Sequence, residues 1–202
     1  MLSRYEALGQ RRPVELQLPV VNAARWRYRN VRLTGRFDRE HQFLLDNQVY
    51  RGRVGYNVLT LLQPIGAEQR VLIDRGWIPA GTSRGQLPRI PVTARRVTIQ
   101  GEVYVPYEDG YRLGGMDTGE HGWPRRIQFI DFEQIARRTA APLARMIVRL
   151  NPASPHGYVR DWQIVPFSPQ RHLGYAFQWF ALAVGMLVIF IVVNTNRKTE
   201  TA

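Results

Sequence analysis

The chain has 202 residues, no cysteine and a formal charge of +12, carried by 28 basic residues of which only Lys198 is a lysine. Without cysteine there are no disulfides, thiolate metal sites, cysteine nucleophiles or dithiol redox pairs, although the compartment stays open. The charge suits anionic partners such as lipid headgroups, propionates or phosphates, but the arginines are scattered through strand-like segments rather than clustered on a helix, which argues against nucleic acid.

Residues 1–30 form an N-terminal segment. Its first 19 residues contain no run of even seven apolar residues, hence neither a signal peptide nor a membrane span. A chain whose one apolar span lies near its C-terminus leaves its domain on the side of synthesis, so either the domain is cytoplasmic or the true start lies upstream. From Val31 the pattern turns to period-two alternation over Val31–Phe37. Gln42–Tyr50 and Val54–Leu62 follow as a hairpin across Arg51-Gly52-Arg53. Gln69–Trp77 is more continuously apolar and therefore predicted to be a central strand, ended by Pro79.

Gly81-Thr-Ser83-Arg-Gly85 matches a hydrolase nucleophile elbow in letters, but Pro88 and Pro91 forbid the helix that must follow the serine. Val97–Val105 alternates most cleanly, with Val97, Ile99, Val103 and Val105 on the core face, and Gly101 signals a bulge or a close backbone approach. Asp109–Gly122 is glycine-rich yet lacks the context of a phosphate loop and the acid spacing of a calcium loop, so it reads as a surface loop. A strand over Arg126–Asp131 leads into a short helix, Phe132–Arg138, with Asp131 as N-cap and Gln134 in the capping-box position. Met146–Leu150 and Gly157–Val165 complete the strands. Residues 31–168 are thus predicted to form a mainly β (α+β) domain, antiparallel, with barrel closure as one solution. No nucleophile, base or metal constellation stands out, and an enzyme is not expected.

Residues 172–193 form the last element, with 194–202 as a short tail. Tyr175–Val193 carries no charge, and at about 1.5 Å per residue it reaches roughly 28 Å, the thickness of a bilayer core. Tyr175 and Trp179 sit where an aromatic belt meets the headgroups, and Arg197 and Lys198 close the other end. Ala181 and Gly185 form a small-residue pair one turn apart, a weak helix-packing motif.

Three separated segments carry a resemblance. They are Gly35-Arg-Phe37 through Asp46-Asn47 to Gly52–Tyr56, then Val71–Pro79 with its Arg75-Gly-Trp77-x-Pro79 block, then His172-Leu-Gly-Tyr175-Ala-x-x-Trp179. In this order they resemble the surfeit-locus family of cytochrome c oxidase assembly factors. The resemblance implies a non-enzymatic helper with two membrane helices flanking a domain on the periplasmic side of a bacterial inner membrane. It also implies haem a as cargo, the oxidase catalytic subunit as partner, and haem A synthesis enzymes and membrane lipid as further contacts.

By that analogy His172 is the haem-iron ligand. Tyr175 and Trp179, three and seven residues on, lie on the same helix face to flank the ring. Arg171 and Arg75 are then the candidate propionate partners. Spacing alone also fits His172 as an interfacial residue with two aromatic anchors, and Gly76-Trp77-x-Pro79 as a core tryptophan before a turn. His41, His121 and His156 show no ligand pattern. Copper delivery is disfavoured by the sulfur inventory, four methionines and no cysteine.

The chain departs from the family at Gln48, where an arginine usually follows the asparagine, and at the first membrane helix. The expectation is that Met1 is internal and that the upstream reading frame encodes an apolar run of about 20 residues. A cofactor-free tethered scaffold for oxidase subunits or anionic lipid is the alternative function.

Overall fold

In the computed structural model, residues 12–81, 86–106, 122–162 and 169–196 are described, with side chains in the last stretch described from Gly174 to Thr195. Two compact units divide the chain, one ending at Asp161 and the other starting at Trp162.

The first unit is built on one long strand. β2 (Asn30–Tyr50) pairs antiparallel with β3 (Arg53–Pro64), which pairs antiparallel with β4 (Arg70–Pro79). β5 (Val97–Tyr104) returns beside the first half of β2, from Asn30↔Glu102 to Gly35↔Val97. Three consecutive strands with a fourth returning beside the first make a Greek key. β7 (Leu143–Leu150) then fills the gap, antiparallel to β5 and parallel to β4. The order β2-β3-β4-β7-β5 therefore runs back to β2, and the sheet closes into a five-stranded barrel. Two short strands decorate β2 in parallel, β1 (Val14–Glu15) at its start and β6 (Arg125–Ile127) along its second half. The barrel is thus antiparallel at four of its five seams and the sheet as a whole is mixed. The parallel seam needs a long crossover, which is the segment between β4 and β7.

One strand serves three neighbours because it bends. The β2–β3 register shifts between Phe37 and Gln42, and the extra residues turn β2 away from β5 and toward β6. Asp38 holds this bulge. Its Oδ1 accepts from the amides of Glu40 and His41 at 2.8 and 3.1 Å, and its Oδ2 accepts from Arg70 at 2.9 Å and lies 2.8 Å from His41 Nδ1. The sequence reading broke β2 into two strands there. The polar run Asp38-Arg-Glu-His41 interrupts the alternation, as a bulge does. At the hairpin, Arg51 (φ 47°) and Gly52 (φ 76°) form a two-residue turn with both φ positive, the type whose twist matches paired strands.

Alternation sorts the core. Val31, Leu33 and Phe37 of β2, Val71 and Ile73 of β4, Val97, Ile99 and Val103 of β5, and Met146, Val148 and Leu150 of β7 fill the barrel interior. On the outside, Phe43, Leu59, Leu61, Leu72 and Ile147 are covered by Ile127 and by Ile135 of the short helix Phe132–Thr139. Leu72 and Ile73 are therefore both buried on opposite faces of β4, which explains its continuous apolar run. The short helix begins on Asp131, whose carboxylate accepts from the amides of Glu133 and Gln134, both at 3.0 Å, and from Gln134 Nε2 at 2.9 Å. Gln134 thus closes the cap on the capping carboxylate itself. Gly101 marks the close approach expected of it, because a Cβ there would collide with the Arg149 carbonyl of β7.

Gly157–Val165 is read as a strand; among its described residues, 157–162, a single bridge forms at Val159, and residues 163–168 lie outside the described residues. So do residues 1–11, 82–85 with Ser83, 107–121 with His121, and 197–202.

Among the described residues the second unit contains one helix, Pro169–Asn196. Its segment Gly174–Thr195 is 22 residues long and apolar enough to cross a membrane, with none of its apolar side chains buried by protein. In its last turn Asn194 Nδ2 and Thr195 Oγ1 donate to the Phe190 and Ile191 carbonyls at 3.0 and 2.7 Å, which shields polar groups at the edge of an apolar span.

Candidate functional site

The Arg75-Gly76-Trp77 block lies at the end of β4, and its three residues do three different jobs. Alternation along β4 places Arg75 on the interior side with Val71 and Ile73, where it is 4% exposed. Its Nε donates to the His156 carbonyl at 2.7 Å, and both terminal nitrogens donate to the Pro91 carbonyl at 3.3 Å. The guanidinium also lies 5.0 Å from the Tyr158 ring centroid and 5.3 Å from that of Phe37. Below it a polar chain continues, Thr60 Oγ1 donating to Gln42 Oε1 at 2.6 Å and Gln42 Nε2 to the Asp38 carbonyl at 2.6 Å. Burial pulls Arg75 below the ordinary arginine value, and it remains a cation because carbonyl dipoles and ring faces replace its water.

Gly76 is required by what crosses over it. The segment Tyr158–Val159 lies across the block as a strap: Tyr158 N–H donates to the Arg75 carbonyl at 2.7 Å, Trp77 N–H to Val159 O at 2.7 Å, and Val159 N–H to Trp77 O at 3.1 Å. Gly76 has φ 108°, and a Cβ there would lie 2.5 Å from the Val159 carbonyl. Trp77 is buried, with Nε1 donating to the Gln48 carbonyl at 3.0 Å and its ring 5.4 Å from that of Tyr50. Position 48 meets Trp77 through its backbone carbonyl, while its side-chain amide donates to the Asp46 carbonyl at 2.9 Å. Leu44, Tyr56 and Val58, with Ile78, Leu87, Ile90 and Tyr158 packed against them, close this end of the barrel.

Beside the strap, Asp74 faces outward on β4 yet is buried. Its carboxylate accepts from Gly76 N–H at 3.0 Å and Asn57 Nδ2 at 2.9 Å, and burial raises its pKa to about 6 against those hydrogen bonds. Asp38 shifts the other way. Burial pushes it up, but the His41 ring and the bulge amides outweigh that and hold it below the ordinary value. Neither the burial of Asp74 nor the half-buried bulge position of Asp38 was legible in the sequence. The Asp38-x-x-His41 spacing was the one available signal, and the structure places His41 inside the bulge against that carboxylate. Among the described residues no group of three or more potential ligands stands where it could hold a metal ion.

The helix carries the other candidates. Tyr175 and Trp179 are 64% and 72% exposed. His172 and Arg171 belong to the helix by backbone, and their side chains lie outside the described residues. At 100° per residue, positions 175 and 179 fall within about 60° and 20° of position 172 around the helix, so the three share a face. The structure thus places His172, Tyr175 and Trp179 on one helix and Arg75 in the other unit, inside the barrel and bonded to carbonyls.

A barrel whose one end is strapped by the chain, followed by a helix able to cross a bilayer, defines a membrane-associated β-domain. A family model described as the SURF1 family matches residues 1–184, and the chain belongs to that family, a membrane-associated family of cytochrome c oxidase assembly factors. The match spans the bulged β2, the Arg75-Gly-Trp77 block, the strap and the first half of the apolar helix. No curated protein matches the chain.

Proposed function

We propose that this protein binds haem a at the start of its C-terminal helix and helps deliver it to the catalytic subunit of cytochrome c oxidase, with the barrel on the periplasmic side of a bacterial inner membrane. Membership of an oxidase assembly family is the observation that carries this reading, because the match includes the His172-x-x-Tyr175-x-x-x-Trp179 segment. Haem a is cargo here, and no catalytic step is assigned to the chain.

The residue types suit such cargo. A neutral imidazole is a common axial ligand, and two exposed aromatic rings on the same helix face can flank a flat macrocycle. The amphiphilic ring matches the boundary between an apolar span and its aqueous flank. Arg75 has its guanidinium committed to carbonyls, which leaves Arg171 as the candidate propionate partner.

The test is the visible spectrum of detergent-purified protein, co-expressed with haem A synthesis enzymes, for the wild type and His172→Ala. The expected outcome is a haem a spectrum that is lost or strongly weakened in the variant and partly weakened in Trp179→Ala. Equal haem content in wild type and His172→Ala would remove His172 as ligand. Absence of haem from both, with the barrel folded, would favour a cofactor-free tether, to be pursued by crosslinking to oxidase subunits.

A further inference from the structure

The barrel end built by the β2–β3 turn carries exposed apolar and basic side chains that lie outside the buried clusters. Val49 and Val54 are directly opposite each other across the hairpin, 66% and 53% exposed, and belong to none of the buried clusters. Between them Arg51, Gly52 and Arg53 are exposed, with the Arg51 guanidinium 5.3 Å from the Tyr50 ring centroid. Val159 of the strap, 39% exposed, adds a third apolar group beside Trp77, whose ring is against Tyr50. As a cross-strand pair the two valines support the hairpin, but they bury no surface against the barrel core. Their company is the composition of an interfacial contact: small apolar groups, arginines able to pair with phosphate oxygens, and a tyrosine.

The chain itself supplies the surface. Val54 O accepts from Ala80 N–H at 3.1 Å and Trp77 pairs with Val159, so the strap leaves the barrel at this same end. From Trp162, the last described residue of this stretch, seven peptide steps lead to Pro169, the first residue of the apolar helix, and they reach at most roughly 25 Å. The hairpin end is therefore the end from which the chain runs on toward the apolar helix. The opposite end is less suited. It exposes Ile65 and Val21, but Glu68 stands among them and the nearby Arg70 is paired with Asp38. We infer that the hairpin tip Val49–Val54 docks on the headgroup surface of an anionic bilayer, its valines inserted beneath the phosphates and Arg51 and Arg53 bound to them. The inference rests on the reading that Gly174–Thr195 crosses the membrane.

The absence of cysteine makes the test clean, since one introduced thiol can be labelled uniquely. The full chain carrying Val49→Cys, Ile65→Cys or Met186→Cys is labelled with an environment-sensitive fluorophore and placed in nanodiscs of phosphatidylcholine with and without phosphatidylglycerol. Nitroxide lipids spin-labelled near the headgroup or at mid-chain serve as quenchers. The expected result is several-fold stronger headgroup quenching at position 49 than at 65 when phosphatidylglycerol is present. That difference should disappear in the Arg51→Glu/Arg53→Glu background. Equal or weaker quenching at 49, with the Met186 label quenched at mid-chain, overturns the docking while leaving the span intact. A Met186 label that no lipid quenches overturns the span, and the docking with it.

Discussion

At position 75 a full positive charge lies inside a barrel, with carbonyls, a hydroxyl and two aromatic faces around it. Removing a donor that satisfies buried carbonyls costs more than one hydrogen bond is worth, because each acceptor keeps its desolvation penalty. Arg75→Met should destabilise the barrel by about 3 kcal/mol, and Arg75→Lys by less, since an ammonium reaches one carbonyl but not both. The urea midpoint checks this, and haem content per folded molecule should be unchanged in Arg75→Lys. Asp74 gives a pH signature. Its folded pKa of about 6 lies above the ordinary 3.8, so the folded chain holds the proton more tightly than the unfolded one and ionisation costs the fold. Its contribution is complete below about pH 4 and is lost as pH rises to about 6, on the order of 2–3 kcal/mol in all. Asp38, shifted down, works in the opposite sense and loses its contribution as pH falls below the ordinary carboxylate value. Asp74→Asn keeps an acceptor for Gly76 N–H and removes the proton, so urea midpoints measured across pH 4–6 should fall in the wild type and become flatter in the variant.

The short helix Phe132–Thr139 is a sequence-legible element with a measurable cap. Asp131 satisfies two of its free amides, and Ile135 is fully buried against the barrel wall. Asp131→Ala should cost about 1 kcal/mol in the same urea titration. The exposed Arg145–Glu133 pair should contribute far less, because water screens it and two long side chains must be ordered. β5 was legible from alternation because one face lies in the interior, and β3 and β4 from apolar runs because both of their faces are buried. β2 was legible only in halves, since its bulge breaks the period at the point where the strand changes neighbours. The strap was misread as a strand for a related reason: Tyr158 and Val159 have strand composition, but only Val159 finds a ladder partner.

Across the whole molecule, the division after Asp161 predicts independent folding. Ring closure and all three buried clusters involve only residues up to Tyr158. A chain ended after Trp162 should keep the near-ultraviolet circular dichroism of the barrel and unfold cooperatively. Loss of that signature would mean that the apolar helix contributes to the barrel core. The family motif divides along the same line. Arg75-Gly76-Trp77 builds and straps the barrel end, and His172-x-x-Tyr175-x-x-x-Trp179 opens the helix, so the two blocks belong to different units.

By itself the sequence determined whatever depends on local periodicity or length. That covers the alternating strands, the Asp131 cap, an apolar run long enough to span a bilayer, and the spaced motifs that mark the family. The shared face of positions 172, 175 and 179 was legible for the same reason, since that spacing aligns them on any α-helix. Only the tertiary structure decided what depends on distant partners. The β4–β7 and β2–β5 seams close the barrel through pairings that no local pattern encodes. The role of Arg75 was equally hidden, because the carbonyl that holds its Nε belongs to a residue 81 positions away, brought there by the strap that the glycine beside it leaves room for.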